Sequence, residues 1–456
     1  MDPRQVKTAA DARKIIQERG LTHVKVGVHD IDGVLRGKYL HVDKFSGALD
    51  GNFGFCDVVL GWDSNDQLYD NVTYTGWHTA YPDAAVRIIP ESCREIATEP
   101  GNLLFLCEFD AGAEALCPRG VLRRVLDRAR EMGFEAKCGF EYEFFVFAET
   151  AQSIRDKGHR NLKPVSPGFF GYSMLRNSVL SDWYHDLLAM CETMDMSIEG
   201  LHTETGAGVM EAALRVSGGL DAADKAALFK LYTKVLAQKR DWLATFMAKW
   251  SKDWPGCGGH MHMSLWQAGT DRSAFYDGAG AHRMSDAMRH FVGGQQALMP
   301  ELLAMIAPTV NSYRRLIPGF WAPTAASWGI ENRTTALRVI PGSAKSTRVE
   351  YRVAAADANP YLALAAAIGA GLHGIEHKIE PGEPIKGNSY ERKHPAKAQL
   401  PRTLMEAAGR LKASKPARAL FGDAFVDHYA ATREWEEREF RKAVTDWELD
   451  RYMEII

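Results

Sequence analysis

Four stretches of this chain place acids, imidazoles and guanidiniums at spacings that can do chemistry. The first, AKCGFEYEFFVF (136–147), is dense in β-forming aromatics. Period-two alternation puts Glu141 and Glu143 on one strand face and Tyr142 and Phe144 on the other. Two like charges side by side on a strand cost free energy unless water or a cation compensates. In the second, IEGLHTETGAGVMEAAL (198–214), Glu199, Glu204 and Glu211 flank a Gly-Ala-Gly turn that can bring Glu204 and Glu211 together. The third, WPGCGGHMHMSLW (254–266), sets His260, His262 and Ser264 on one face, with Met261 and Met263 opposite. The glycines before it allow a ligand to approach the backbone closely. In the fourth, 346–353, Arg348, Glu350 and Arg352 share a face. It closes a longer basic stretch, 311–352, which adds Arg314, Arg315, Arg333, Arg338 and Lys345 and holds only two carboxylates, Glu331 and Glu350.

Hard carboxylate oxygens with one or two imidazoles suit Mg2+ or Mn2+ rather than a thiolate-bound metal. Guanidinium forks match the oxygens of phosphate and carboxylate in pairs. Divalent cations and arginines together suit a nucleoside triphosphate and phosphoryl transfer. The chain has no GxxxxGK[ST] loop and no GxGxxG opening a βαβ unit, which argues against P-loop and dinucleotide folds. Taken singly, each stretch has a plainer reading: an exposed strand face, a glycine turn, a structural histidine, an ion-paired strand, a solvated basic face. The combination points to a site.

The elements that must position these groups follow from pattern. The 456 residues are too many for one small domain, and 46% hydrophobic with 25% charged residues suits a globular protein with a sizeable core. A formal net charge of -3 supplies no bulk field toward nucleic acid or membrane. No apolar run approaches the roughly 20 residues of a bilayer span. The first residues lack the apolar core of a signal peptide, so a cytoplasmic location is expected. Seven scattered cysteines without metal-ligand spacing suit reduced, mostly buried thiols; Cys257 is the one placed nearest a site. Residues 4–19 suit a short amphipathic helix. Residues 22–28 and 34–42 alternate around His29–Gly33, an Asp-Gly hairpin signal. The sequence GFCDVVLGWD (54–63) follows as a loop or short strand. The composition shifts at 111–120, and Pro118 opens a helix over 121–132. Residues 358–373 are apolar all round and predict a buried helix, 381–399 an exposed excursion, and 432–452 a charged amphipathic helix.

In this order and spacing, FEYEFFVF, ETGAGVME, GCGGHMHMSL, NSYRRLIPGF, ENRTTALR, RVEYR and ANPYLALAAAIGAGLHGI resemble the glutamine synthetase family along nearly the whole chain. The resemblance implies an α+β fold: a β-grasp-like domain over 1–112, and a catalytic domain over 113–456 with a curved antiparallel sheet flanked by helices. It implies two or more Mg2+ or Mn2+ ions per active site, with ATP and L-glutamate as substrates. It also implies a homo-oligomer, commonly two stacked hexamers, with active sites between subunits. By matching position, Glu143, Glu204 and Glu211 would ligate the metal near the amino acid, and Glu141, His260 and Glu350 the metal near the nucleotide phosphates. Glu199, His262, Ser264, Arg333, Arg338, Lys345 and Arg348 would contact ATP. Arg315, Arg352 and the Gly256 backbone would hold glutamate. Arg333 and Arg315 would serve the reaction itself: ATP phosphorylates the γ-carboxylate, and an amine displaces phosphate.

This chain also departs from the family pattern. Where the flap normally carries Glu after its Pro-Gly-aromatic turn, it has Trp321. Pro255 stands where Asn is usual, and Val209 where Gln is usual. The ammonium-binding aspartate of a neighbouring subunit is matched loosely by Asp57, with Trp62 close behind. Ammonium is small and strongly hydrated, so a site selecting it needs carboxylates to replace its water. An indole in place of one of them favours a larger, partly apolar amine, and Trp321, Asp57 and Trp62 are its expected pocket. The alternatives are a flap that still makes glutamine around a packing tryptophan, and a non-catalytic relative. Tyr390 lies near a position that some relatives modify, without a matching context.

Overall fold

The computed structural model describes residues 1–456 as an α+β protein built on two sheets. Six strands make the first: β1 (His23–His29), β2 (Leu35–His41), β3 (Phe53–Cys56), β4 (Asp83–Ile88), β5 (Arg94–Glu95) and β6 (Leu103–Phe109). Their order is β2-β1-β6-β4-β3, with β5 on β6. The β1–β2 hairpin forms where Asp-Gly predicts it, pairing His29 with Leu35 and Val26 with Lys38. Gly33 lies at φ +84°, and a Cβ there would meet Asn359 at 3.1 Å. That turn is clamped from far along the chain: Asn359 donates to the carbonyls of Asp30 and Ile31. The same asparagine caps the buried helix Pro360–Glu376, whose 17 residues run longer than the apolar pattern predicts.

The second sheet holds β7 (Phe134–Phe147), β8 (Ile198–Thr203), β9 (Val209–Leu214), β10 (Ser217–Gly218), β11 (Leu243–Thr245), β12 (Gly259–Gln267), β13 (Trp328–Ile330), β14 (Leu337–Ile340) and β15 (Arg348–Tyr351). Its order is β13-β14-β15-β12-β7-β9-β8, with β10 and β11 on β7. The resemblance implies an antiparallel sheet; the sheet is mixed, because β13 and β14 run parallel. A strand as short as β13 advances only about 7 Å, which a short loop can retrace without a crossover helix. Helices Pro118–Glu131, Gly219–Gln238 and Asp286–Leu302 pack with Pro360–Glu376 behind this sheet, and buried side chains of both sheets join one continuous core.

Three more helix bounds differ from the pattern. The first helix spans Ala9–Glu18, because the Thr8 hydroxyl accepts the Asp11 N–H and starts it late. The helix expected over 121–132 is Pro118–Glu131, with Pro118 itself in its first turn. The stretch 432–452 is two helices, Asp423–Phe440 and Asp446–Tyr452, since Thr445 and Glu448 form a second capping box inside it. All seven cysteines are free thiols, six of them buried. No helix is long and apolar enough to cross a membrane.

His29 packs against the buried helix at a cost that depends on pH. Its ring lies 4.8 Å from that of Tyr361, and neither ring nitrogen has a hydrogen-bond partner. Burial first, and the charge of Arg119 second, push its pKa from 6.5 down to about 3. The unfolded chain therefore takes up a proton as pH falls through 6.5, while the folded protein does not until about 3. Stability is complete above 6.5 and falls below it. By pH 5 the loss approaches about 2 kcal/mol. We expect urea unfolding of His29→Phe to show a flatter decline between pH 7 and pH 5 than the unsubstituted chain. Parallel declines would mean that His29 is not the group responsible.

Candidate active site

The central strand β7 carries the alternation that builds the site. Tyr142 and Phe144 point into the core, where they pack on Phe229 and Phe246. Glu141 and Glu143 take the opposite face and line a cavity of about 1070 Å³. Register brings the other groups to them. Glu141 pairs with His260 across β12, Glu143 with Glu211 across β9, and Glu350 of β15 with His262 and with Arg338 of β14. A slip of one residue would turn both glutamates into the aromatic core.

One cluster joins Glu141, His260 and Glu350, whose ligand atoms lie within 4.8 Å of one another. Glu141 Oε2 is 3.4 Å from His260 Nδ1 and 3.5 Å from His262 Nε2, and Glu350 Oε1 is 3.5 Å from His260 Nδ1. Burial would raise the Glu141 pKa, but the two imidazoles overcome it and hold the carboxyl well below its usual range. Burial opposes ionisation of Glu350 as well; Arg352 and then the histidines bring it down to about 2. Arg338 adds a hydrogen bond to Glu350 at 3.1 Å.

A second cluster joins His202, Glu204 and Glu211. His202 Nε2 lies 3.1 Å from Glu211, and its ring stacks on Tyr172 at 4.3 Å. Burial pushes the Glu211 pKa up to about 8 against the pull of His202, and Glu141, Glu143 and Glu204 add to the rise. Burial opposes a charge on His202, but the bond to Glu211, the Thr203 carbonyl and the charges of Glu211 and Glu204 together carry its pKa up to about 9. The cluster thus gathers more negative charge than its burial tolerates, and a proton on His202 offsets part of it. A divalent cation would offset more, so the donor set fits one. The carboxylate of Glu143 turns elsewhere and accepts the Gly258 N–H. His202 escaped the sequence reading, although alternation places it on the same strand face as Glu204.

Basic groups close the rest of the cavity. Arg315 is buried; it donates to the Val353 carbonyl at 2.9 Å and to that of Arg352 at 3.3 Å. Gly256 is needed beside it, since a Cβ would meet the Arg315 side chain at 2.8 Å and press on the Ala248 carbonyl. Arg352 Nε donates to the Arg333 carbonyl, and Arg348 Nε to His262 Nδ1 at 3.2 Å. Ser264, Glu199, Arg333, Arg338 and Lys345 line the same cavity, and so do Pro255, Val209, Phe320 and Trp321. Cys257 is fully buried between the two glycines, and its thiol is pushed far up by burial.

Two expected residues stay apart. Asp57 sits in the turn Asp57–Leu60 after β3, buried, with the Thr75 hydroxyl donating to it at 2.7 Å. Trp62 lies under the guanidinium of Arg36. Neither lines the cavity. They lie in the connection between β3 and β4 of the first sheet, and the resemblance brings such a residue from a neighbouring subunit, so a single chain does not unite them with Trp321.

Two acidic clusters on one face of a curved sheet, walled by arginines, define a site for a divalent cation and an anionic substrate. The model of the "Glutamine synthetase, catalytic domain" matches residues 115–452. "Type-1 glutamine synthetase 2" of Dictyostelium discoideum is 46% identical over 438 residues, covering 95% of this chain and 84% of that protein. "Glutamate--isopropylamine ligase" of a Pseudomonas species is 35% identical over 464 residues, covering 100% of both. The solved structure described as "GmaS/ADP complex-Conformation 1" superposes with a TM-score of 0.85 at 26% identity, over 97% of this chain and 99% of that one. The chain belongs to the glutamine synthetase family. It is an ATP-dependent glutamate ligase that joins glutamate to ammonia or to an amine.

Proposed function

We propose that the enzyme joins the γ-carboxylate of L-glutamate to an amine larger and more apolar than ammonia, through γ-glutamyl phosphate. The observation that carries this is the flap. Its residues 317–323 are IPGFWAP, with Phe320 and Trp321 at the cavity and no carboxylate to strip water from ammonium. The full-length likeness to a ligase named for isopropylamine supports the reading. Ammonia is the second reading, favoured by the likeness to the protein named type-1 glutamine synthetase.

In the proposed reaction Arg315, Arg352 and the Gly256 backbone hold glutamate, while Arg333, Arg338 and Lys345 face the phosphates. A γ-carboxylate oxygen takes the γ-phosphoryl group of ATP, and ADP leaves. The neutral amine then attacks the acyl carbon, phosphate leaves with its bonding pair, and the nitrogen loses a proton. Glu141, His260 and Glu350 would hold one cation, and Glu204 and Glu211, with Glu143 and His202 beside them, a second. Bound there, divalent cations supply the positive charge that lets two anions meet. Asp57 and Trp62 enter only as residues of a second copy in a homo-oligomer. The family match beginning at 115 supports a boundary near 112 between two units.

The test is phosphate release from ATP with Mg2+ and glutamate, across ammonium, alkylamines, aromatic amines, ethanolamine and polyamines. Faster turnover with an alkyl or aromatic amine than with ammonium is the expected result. Efficient turnover with ammonium alone would establish the second reading.

A further inference from the structure

Lys249 is a buried cation that the reaction above does not use. Its residue is only 8% exposed, yet it does not line the cavity. Its ammonium donates to the Trp254 carbonyl and lies 4.3 Å from the ring centroid of Phe320, and no carboxylate pairs with it. Burial lowers its pKa. The backbone of the same residue is tied to Asn311: the Lys249 N–H donates to Asn311 Oδ1, and Asn311 Nδ2 donates to the Lys249 carbonyl, both at 2.8 Å. Asn311 begins the arm that leads through Arg315 to the flap. One lysine therefore grips this arm at its root through the backbone and at its tip through the side chain.

The tip has little else to hold it. Of the side chains in IPGFWAP only the Trp321 indole carries a polar group, and the turn passes through two left-handed positions, Gly319 (φ +87°) and Trp321 (φ +59°). Phe320 and Trp321 are 37% and 60% exposed, so core packing does not fix them. A desolvated ammonium over an aromatic face is attractive, and more so away from water. Trp254, whose carbonyl aims the ammonium, itself packs against Phe169, ring centroids 4.8 Å apart and tilted by 36°.

We propose that Lys249 is the latch of the active-site flap, holding residues 317–323 over the cavity through the face of Phe320. It is a positioning residue and touches neither substrate. Its effect on the reaction rests on the acyl phosphate proposed above. With the flap down, the amine is the nucleophile. With the flap up, water's oxygen attacks the acyl carbon, phosphate leaves with the bonding pair, and a water proton goes to solvent. Glutamate is then regenerated, and the net change is ATP and water to ADP and phosphate.

Two measurements on the full chain test the latch. The first is the ratio of ATP hydrolysed to amide formed, using ammonium or whichever amine the enzyme turns over. The second is the rate of chymotryptic cleavage after Phe320 and Trp321 with glutamate and a non-hydrolysable ATP analogue bound, which needs no amine. Lys249→Met is expected to raise both by about three- to tenfold, with the KM for ATP unchanged. Lys249→Arg, which keeps a cation over the ring, should restore both toward the parent values. Phe320→Leu, which also alters a cleavage site, is read by the ratio alone; there it should reproduce the methionine variant, and the double variant should be no worse than either single one. A Lys249→Met enzyme that cleaves and couples like the parent, even with a lower Tm, overturns the proposal, because it leaves the lysine only a structural tie to Trp254. Multiplying single-variant effects would overturn it too. A failure of the amine reading would show instead in the ranking of nucleophiles, which neither measurement reports.

Discussion

Glu141→Gln is expected to lower kcat/KM by at least about a thousandfold while leaving the protein folded. The substitution keeps the shape and removes only the charge at the centre of the first cluster. Its carboxylate faces His260 and His262 and no arginine. Glu350 would be a poorer choice, because Arg338 and Arg352 already pair with it and its loss would leave two guanidiniums uncompensated. Glu141 has a simpler job. With Glu350 and His260 it completes a three-residue set of hard and imidazole donors, and an amide oxygen is a weaker ligand for Mg2+ or Mn2+ than a carboxylate. Loss of the cation would leave the phosphates of ATP and the γ-carboxylate of glutamate to repel one another across the cavity. Initial rates over a range of Mg2+ and Mn2+ concentrations check this. Half-saturation should move to higher metal concentration, with the lowered rate partly recovered at the top of the range. A variant within tenfold of the parent at every concentration would show that the cluster does not carry the cation.

The positions of both clusters could be read from pattern because strand alternation is local and its consequence is not. FEYEFFVF commits Tyr142 and Phe144 to the core, and this forces Glu141 and Glu143 to the other face wherever the strand sits. Once β12 pairs with it, His260 must stand opposite Glu141. The β1–β2 hairpin was legible for the same reason, since Asp-Gly and two alternating runs fix the register between them. What stayed hidden depended on partners far along the chain. The Glu143 carboxylate is turned by an N–H more than a hundred residues away, that of Gly258. His202 did have a local sign, its alternation with Glu204, but its partner Glu211 is set by the β8–β9 register. The parallel β13–β14 pair has no periodicity to betray it. The break at Thr445 did have a local sign, a Thr-x-x-Glu box, but charged helical spacing on both sides masked it.

The other large effect is expected at Trp321. Trp321→Glu should raise the ratio of kcat/KM for ammonium to that for a larger amine by about 10- to 100-fold. The fold should tolerate it, since the side chain is 60% exposed and packs into no core. Its backbone lies at φ +59°, a conformation as uncomfortable for tryptophan as for glutamate, so the exchange neither adds nor relieves much strain. What changes is the chemistry of the wall. An indole offers area to an alkyl chain and nothing to replace the water around ammonium. A carboxylate offers that replacement, and it charges a surface against which an alkyl chain would otherwise pack. The new acid could instead pair with Arg333, which lines the same cavity. That pairing would lower kcat for every nucleophile alike and leave the ratio unmoved, so the ratio rather than the rate is the informative quantity. Trp321→Leu separates the two halves of the argument. It removes apolar area without adding charge, and should cost the larger amine about tenfold while giving ammonium nothing. If glutamate and leucine shift the ratio equally, Trp321 acts by bulk alone and the missing carboxylate is not what distinguishes this flap.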